Sequence, residues 1–182
     1  IYNNAGKTTH DGAELALSWQ ILKHEDGNQV SVLRPFVAVT YADFKFKDYK
    51  ILNAENMVTA NYDGNALTGI SPWVINGGLD METRKGLYFF VNYYYTGKMP
   101  LNDINTDYNP SYEVFNSKIG YKRRLWKSFE ANIYGGIDNI FNASYSAIVS
   151  LNAVGYGGSQ PAYFNPSPKR NGFGGLTLKC FF

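Results

Sequence analysis

The stretch Gly174–Phe182, GGLTLKCFF, decides how the rest of the chain is read. Leu176, Leu178, Cys180 and Phe182 fall on one parity, and Thr177 and Lys179 on the other. That is the period-2 pattern of a strand with one apolar face. An apolar run of this kind is costly in water unless something covers it. The question is what the apolar face touches.

Working outward, the same alternation recurs along the chain. In GAELALSWQIL, Ala13, Leu15, Leu17, Trp19 and Ile21 share a face, and the Asp26-Gly27 pair that follows is a hairpin signal. Val37, Val39 and Tyr41 come next, with Pro35 nearby arguing for a bulge or a sheet edge. WVINGGLDME places Trp73, Ile75, Leu79 and Met81 together, and LYFFVNYYYTGKM places Leu87, Phe89, Val91, Tyr93 and Tyr95 together. Phe115, Ile119 and Tyr121, then Phe129, Ala131, Ile133, Ile137 and Phe141, complete the series before the final strand. The spacing predicts an all-β chain, an antiparallel up-and-down meander of about seven strands.

The connections alternate between short and long. Tight turns are expected after Leu22, Glu82 and Arg124, and long polar loops after Phe46, Met99 and Phe141. In a meander, alternate connections lie at the same end of the sheet. One end is therefore all turns and the other all loops, the layout of an outer-membrane barrel.

The second face carries Glu14, Gln20, Arg34, Asn76, Asp80, Asn92, Asn116, Lys118, Lys122, Glu130, Asn132, Asp138 and Lys179. A water-filled or plugged lumen suits that mix. The apolar face sets aromatics near strand ends, where rings with a polar tip favour the membrane–water boundary. On this reading Leu15, Leu17, Trp19, Val37, Val39, Leu79, Phe89, Val91, Ile119, Ile133, Leu176, Leu178 and Phe182 face the membrane lipid. A soluble sandwich also alternates, so a soluble or self-associating β-sheet binding module without transport activity stands as the competing reading. A membrane sheet of about seven strands has two raw edges, which lipid does not tolerate. The chain is therefore expected to be part of something larger, or to self-associate.

Composition excludes several classes. Seventeen basic residues against 15 acidic ones give no footprint for nucleic acid. A single cysteine, Cys180, rules out an internal disulfide, and two isolated histidines, His10 and His24, give no metal-ligand pattern. No apolar run is long enough for a membrane helix, and the opening IYNNAGKTTHDG has no signal-peptide core, as expected of a cytosolic chain or an interior piece of a longer one. No catalytic motif, metal site or cofactor site is present: Gly155–Ser159, GYGGS, lacks the lysine of a phosphate loop, and no Ser/His pairing points to an enzyme.

Three blocks carry a family resemblance. NAGKTTHDGAELALSW (Asn4–Trp19), GGIDNIFNASY (Gly135–Tyr145) and the closing RNGFGGLTLKCFF resemble, in order and spacing, the C-terminal third of the barrel of TonB-dependent receptors. The resemblance implies that residues 1–182 are the C-terminal portion of a roughly 22-stranded barrel whose plug domain is absent from this sequence. It also implies an outer membrane of a Gram-negative bacterium, with membrane lipid and the remainder of the barrel and plug as partners. TonB would be engaged through the absent N-terminal part. The cargo expected from the resemblance is a scarce ligand, above all a ferric siderophore. Ligand contact is expected from long loops and the upper lumen, with Tyr62, Tyr108, Tyr156, Tyr163, Phe164 and Arg170 as candidates. Tyrosines offer flat apolar area plus a hydroxyl, and Arg170 would attract an anionic chelate.

Overall fold

The structure is a computed structural model that describes residues 6–22, 29–55 and 57–181. The Asp26-Gly27 turn, His24 and Phe182 lie outside the described residues. The strands are β1 (Lys7–Ser18), β2 (Val30–Lys47), β3 (Lys50–Leu52), β4 (Val58–Asn61), β5 (Trp73–Thr83), β6 (Leu87–Thr96) and β7 (Met99–Pro100). They continue as β8 (Tyr108–Asn109), β9 (Tyr112–Trp126), β10 (Phe129–Asp138), β11 (Ile148–Val149), β12 (Phe164–Asn165) and β13 (Asn171–Cys180).

Seven strands form one antiparallel sheet in the order β1-β2-β5-β6-β9-β10-β13, the expected meander. The sheet does not close on itself: β1 and β13 each pair on one side only. The remaining six strands form three small two-stranded ladders, β3-β4, β7-β8 and β11-β12, inside the long connections. These pairings are two or three residues long, too short for an alternation to be visible in sequence.

The register puts the apolar positions in continuous rows. Leu15 pairs with Val39 and Leu17 with Val37. Leu79 pairs with Val91, Phe89 with Ile119, and Ile133 with both Tyr121 and Leu176. Ala131 adds Leu178 to the same face. Leu15, Leu17, Ile119, Ile133, Leu176 and Leu178 are exposed, Leu17 at 58% and Leu178 at 67%, and the rest of the row is half-buried. Trp19 extends the row beyond β1, its backbone N–H donating to the Pro35 carbonyl at 3.1 Å. Buried hydrophobic residues among the described ones are few: Phe46, Leu101, Val114 and Tyr163. The sheet thus displays its apolar surface outward instead of packing it inward, and such a surface needs an apolar cover.

Pro35 is a correction. The sequence suggests a bulge or edge there, but β2 runs straight through it, with Pro35 opposite Leu79; the register shift lies between Val30 and Val32. The nitrogen and carbonyl of Pro35 both face the β1 side, at Trp19, just past the last paired residue of β1. The missing N–H therefore costs one bond just past the end of β1, where only the Ile21 N–H to Leu33 carbonyl bond at 2.9 Å and a single Leu22–Leu33 bridge carry the pairing on.

The opposite face is polar and self-satisfied. Arg34 forms an ion pair with Asp80 at 2.5 Å, and Asn92 Nδ2 donates to Asn76 Oδ1 at 2.5 Å. Tyr88 Oη donates to Asn132 Oδ1 at 3.0 Å, and the Lys118 ammonium lies 4.2 Å from the Tyr134 ring centroid. Four glycines on this face are each paired across the strands with an aromatic residue: Gly78 with Phe36, Gly120 with Tyr88, Gly136 with Phe173 and Gly175 with Tyr134. In each pair the ring lies over the space that a Cβ would occupy. The aromatic covers the backbone that glycine leaves bare.

Candidate functional site

The long connections 48–72, 97–111 and 139–170 stand at one end of the sheet, opposite the tight turns at 83–86 and 127–128. They interlock around Leu101 and Asp103. Leu101 is fully buried; its N–H donates to the Asp107 carbonyl and its carbonyl accepts from the Asn152 N–H, both at 2.8 Å. Asp103 ties all three connections together. Its Oδ1 accepts from Thr68 Oγ1 at 2.5 Å and from Asn152 Nδ2 at 3.1 Å, and its backbone carbonyl accepts from Asn65 Nδ2 at 2.8 Å. Asn105, held at φ 57°, meets the backbone of Ala66 with both ends of its amide, at 2.8 and 3.0 Å. Asparagine tolerates that left-handed conformation better than most residues.

Tyr49 Oη points at Asp103 Oδ2, donating at 3.4 Å. Burial pushes the Tyr49 phenol above its ordinary value, and the nearby Asp103 carboxylate pushes it further. Both disfavour the phenolate. Farther along, Asn109 Nδ2 donates to the Ser146 carbonyl at 2.9 Å and Tyr112 packs on Tyr145 with centroids 4.8 Å apart.

Two depressions meet at this tyrosine pair. An open cleft of about 310 Å³ is lined by Ser111, Tyr112, Tyr145, Phe164 and Lys169 among others. A second, of about 400 Å³ on the polar face, is lined by Asn76, Asn92, Tyr94, Tyr112 and Tyr145. The first combines aromatic walls, hydroxyls and one ammonium, a set suited to a flat anionic ligand. Lys169 Nζ donates to Ser144 Oγ within that cleft. No group of three or more His, Cys, Asp or Glu that could hold a metal comes together among the described residues.

The candidates from sequence lie at this end but not in one cluster. Tyr62 packs on Tyr49 with centroids 5.0 Å apart. Tyr108 lies under the Lys98 ammonium, 3.8 Å from its ring centroid. Tyr156 is 94% exposed, at a loop tip. Tyr163 is buried, with Oη donating to Asp107 Oδ2 at 3.3 Å. Phe164 is half exposed and lines the smaller cleft. Arg170 is exposed, its guanidinium donating to the Ile140 carbonyl at 3.4 Å. Sequence reasoning passed over Leu101, Asp103, Asn105, Tyr112, Tyr145, Asn152 and Lys169. The available signal was the Asn/Asp density of Pro100–Pro110, PLNDINTDYNP, where side chains bond backbone in place of a ladder.

The comparisons with known proteins agree with this architecture. A family model described as TonB dependent receptor-like, beta-barrel, matches residues 1–140. The siderophore receptor PiuA from Acinetobacter baumannii superposes with a TM-score of 0.72 at 17% identity, covering 97% of this chain and 22% of that one. The ferric yersiniabactin uptake receptor FyuA from Yersinia pestis gives 0.66 at 19% identity, covering 98% and 24%. The unliganded ferric citrate transporter FecA gives 0.72 at 14% identity, covering 97% and 25%. At these identities the likeness is one of fold, and the chain spans a quarter or less of each of those proteins. The unclosed seven-stranded sheet matches a part of their fold. With its outward apolar rows, polar inner face and one-sided loops, the chain belongs to the TonB-dependent receptor β-barrel family, outer-membrane barrels that act as receptors and transporters and not as enzymes.

Proposed function

We propose that residues 1–182 are the C-terminal portion of an outer-membrane receptor that takes up a scarce ligand in a TonB-dependent manner, a ferric siderophore or a similar anionic chelate. The observation that carries the reading is the pairing of a family match over residues 1–140 with a crown of interlocked loops above a polar face. In this reading the outward rows from Leu15 to Leu178, and Phe182 with them, meet membrane lipid of a Gram-negative outer membrane. The polar face lines a lumen filled by a plug outside this chain, and TonB acts through that absent part. The raw edges of β1 and β13 pair with the remainder of the barrel.

Ligand capture falls to the loop end. Arg170 and Lys169 supply positive charge, Tyr156 and Phe164 exposed aromatic area, and Tyr62 and Tyr108 rings closer to the hub. Tyr163 acts mainly by holding Asp107 in place. The test is uptake of iron-loaded siderophores by cells carrying the full-length receptor. Tyr156→Ala and Arg170→Ala are expected to weaken ligand affinity by about fivefold to thirtyfold, the effect of losing an interface contact of roughly 1–2 kcal/mol. Unchanged affinity and uptake in both variants removes these residues from the site.

A second reading, a self-associating β-sheet module without transport, draws on the two one-sided edge strands. It predicts a protein that is monodisperse without detergent. The receptor reading predicts that this chain stays in solution only with detergent or lipid.

A further inference from the structure

The turn end of the sheet carries a concentration of charge that the loop-side reading does not use. In the hairpin segments Glu82–Gly86 and Tyr121–Glu130 there are six cations, Arg84, Lys85, Lys122, Arg123, Arg124 and Lys127, against two carboxylates, Glu82 and Glu130. Glu130 is already engaged, 3.7 Å from Lys179. The two segments are tied side by side, the Lys122 N–H donating to the Gly86 carbonyl at 2.8 Å. Between them opens a cleft of about 600 Å³ lined by Arg84, Lys85, Gly86, Tyr121, Lys122, Arg123 and Arg124.

The cleft lies where the outer face changes character. Tyr121 and Arg123 continue the apolar row that contains Ile119, opposite Ile133 and Ala131. The Arg123 guanidinium donates to Tyr121 Oη at 3.1 Å, so the pair presents a cation and a phenol together. One step beyond, Leu125 and Trp126 are exposed, and Trp126 packs edge-on against Phe129 with centroids 6.1 Å apart. Tryptophan and arginine beside the end of an apolar row are interfacial chemistry: apolar bodies toward the acyl chains, polar tips toward headgroups.

We propose that this cleft binds the phosphate headgroup of an anionic phospholipid in the leaflet at the turn end of the barrel. The inference rests on the reading that the outer face meets lipid. Guanidinium and ammonium groups with a phenol donor match a phosphodiester, and the adjoining Leu125, Trp126 and Phe129 match the start of its acyl chains. A free anion would use the cations but leave the adjoining apolar wall unoccupied, which favours the lipid.

The test uses the full-length receptor, reconstituted in phosphatidylcholine containing a minor fraction of phosphatidylglycerol, with retained lipid read by native mass spectrometry. Three receptors are compared: the unaltered protein, the variant Arg84→Gln/Lys85→Gln/Arg123→Gln, whose three cations line the cleft, and the charge-matched Lys7→Gln/Lys47→Gln/Lys50→Gln at the loop end. Each cation near an anionic surface contributes about fivefold in partitioning, so the first variant should lose at least about fivefold in phosphatidylglycerol retention while the second keeps it. A heat-modifiable electrophoretic band confirms that each barrel is folded. Equal retention in all three folded receptors overturns the proposal and leaves the receptor reading intact. Displacement of the lipid by millimolar inorganic phosphate overturns the lipid assignment in favour of a free anion. A receptor that never enters the bilayer overturns both the proposal and the reading beneath it.

Discussion

Tyr88 lies directly across from Gly120, with its ring over the place a side chain at 120 would need and its hydroxyl on Asn132 Oδ1 at 3.0 Å. The ring is pinned from its far end, so it cannot swing aside without losing that bond. Gly120→Val should therefore cost about 1–3 kcal/mol, the range for overpacking a fitted contact. Gly135→Ala is the control: it points to the outer face and would meet the Phe173 carbonyl at an ordinary 3.5 Å. The temperature at which the full-length receptor loses its compact electrophoretic form should fall for the first and stay within error for the second.

The two faces make opposite demands on the same substitution. Ile133→Lys places a charge in the apolar row between Tyr121 and Leu176 and should cost about 2–4 kcal/mol if it reaches mid-membrane. Thr177→Lys places the same charge beside Asn132 on the polar face and should cost far less. Folding yield into lipid vesicles separates them. Equal yields would remove the assignment of faces.

Asp103 is the common fastener of three connections. Asp103→Ala leaves Thr68 and Asn152 without their shared acceptor. The loss should be about 1–3 kcal/mol of local stability, felt in the loops and not in the sheet. Hydrogen exchange should speed up in 62–69 and 150–153 and stay unchanged in β5 and β6. If the sheet strands exchange faster to the same degree, the hub is not a separate unit.

Alkali should loosen the same crown. The Tyr49 phenol is raised above its unfolded value of about 10, first by burial and then by Asp103. A group whose folded pKa is raised contributes stability that is complete below the unfolded value and is lost as pH climbs through the folded one. Loop protection should therefore decline above about pH 10 and do so less in Tyr49→Phe. Exchange rates of 62–69 against pH, in both proteins, provide the measurement.

The sheet was readable because its forces are periodic. Leu15 and Leu17, Val37 and Val39, Phe89 and Val91, and Leu176 and Leu178 recur at every second residue of their strands, and strand order follows chain order, so each strand of the sheet pairs with the next. Pro35 misled because the rule against proline in a strand concerns its neighbour's ladder, and sequence does not say where β1 stops. The loop crown was opaque for a different reason. Asp103 meets Thr68 and Asn152 through single side-chain bonds at no fixed spacing. Nothing in the sequence around Tyr163 distinguishes a buried hydroxyl donating to Asp107 from the bare ring of Tyr156 seven residues earlier.

The meander also sets an order of events. The β5-β6 and β9-β10 hairpins close through turns as short as Lys127-Ser128, so those pairings carry a small loop-closure cost, while the pairings across the long connections are each held by a full ladder of backbone bonds. The Asp103 contacts join residues 35 and 49 positions apart by single side-chain bonds, too few to hold such a closure alone, so they depend on β5, β6, β9 and β10 bringing their loops to the same rim. The staves are therefore raised first and the crown is knotted last, so a receptor caught midway through assembly would have a finished wall and an unformed mouth.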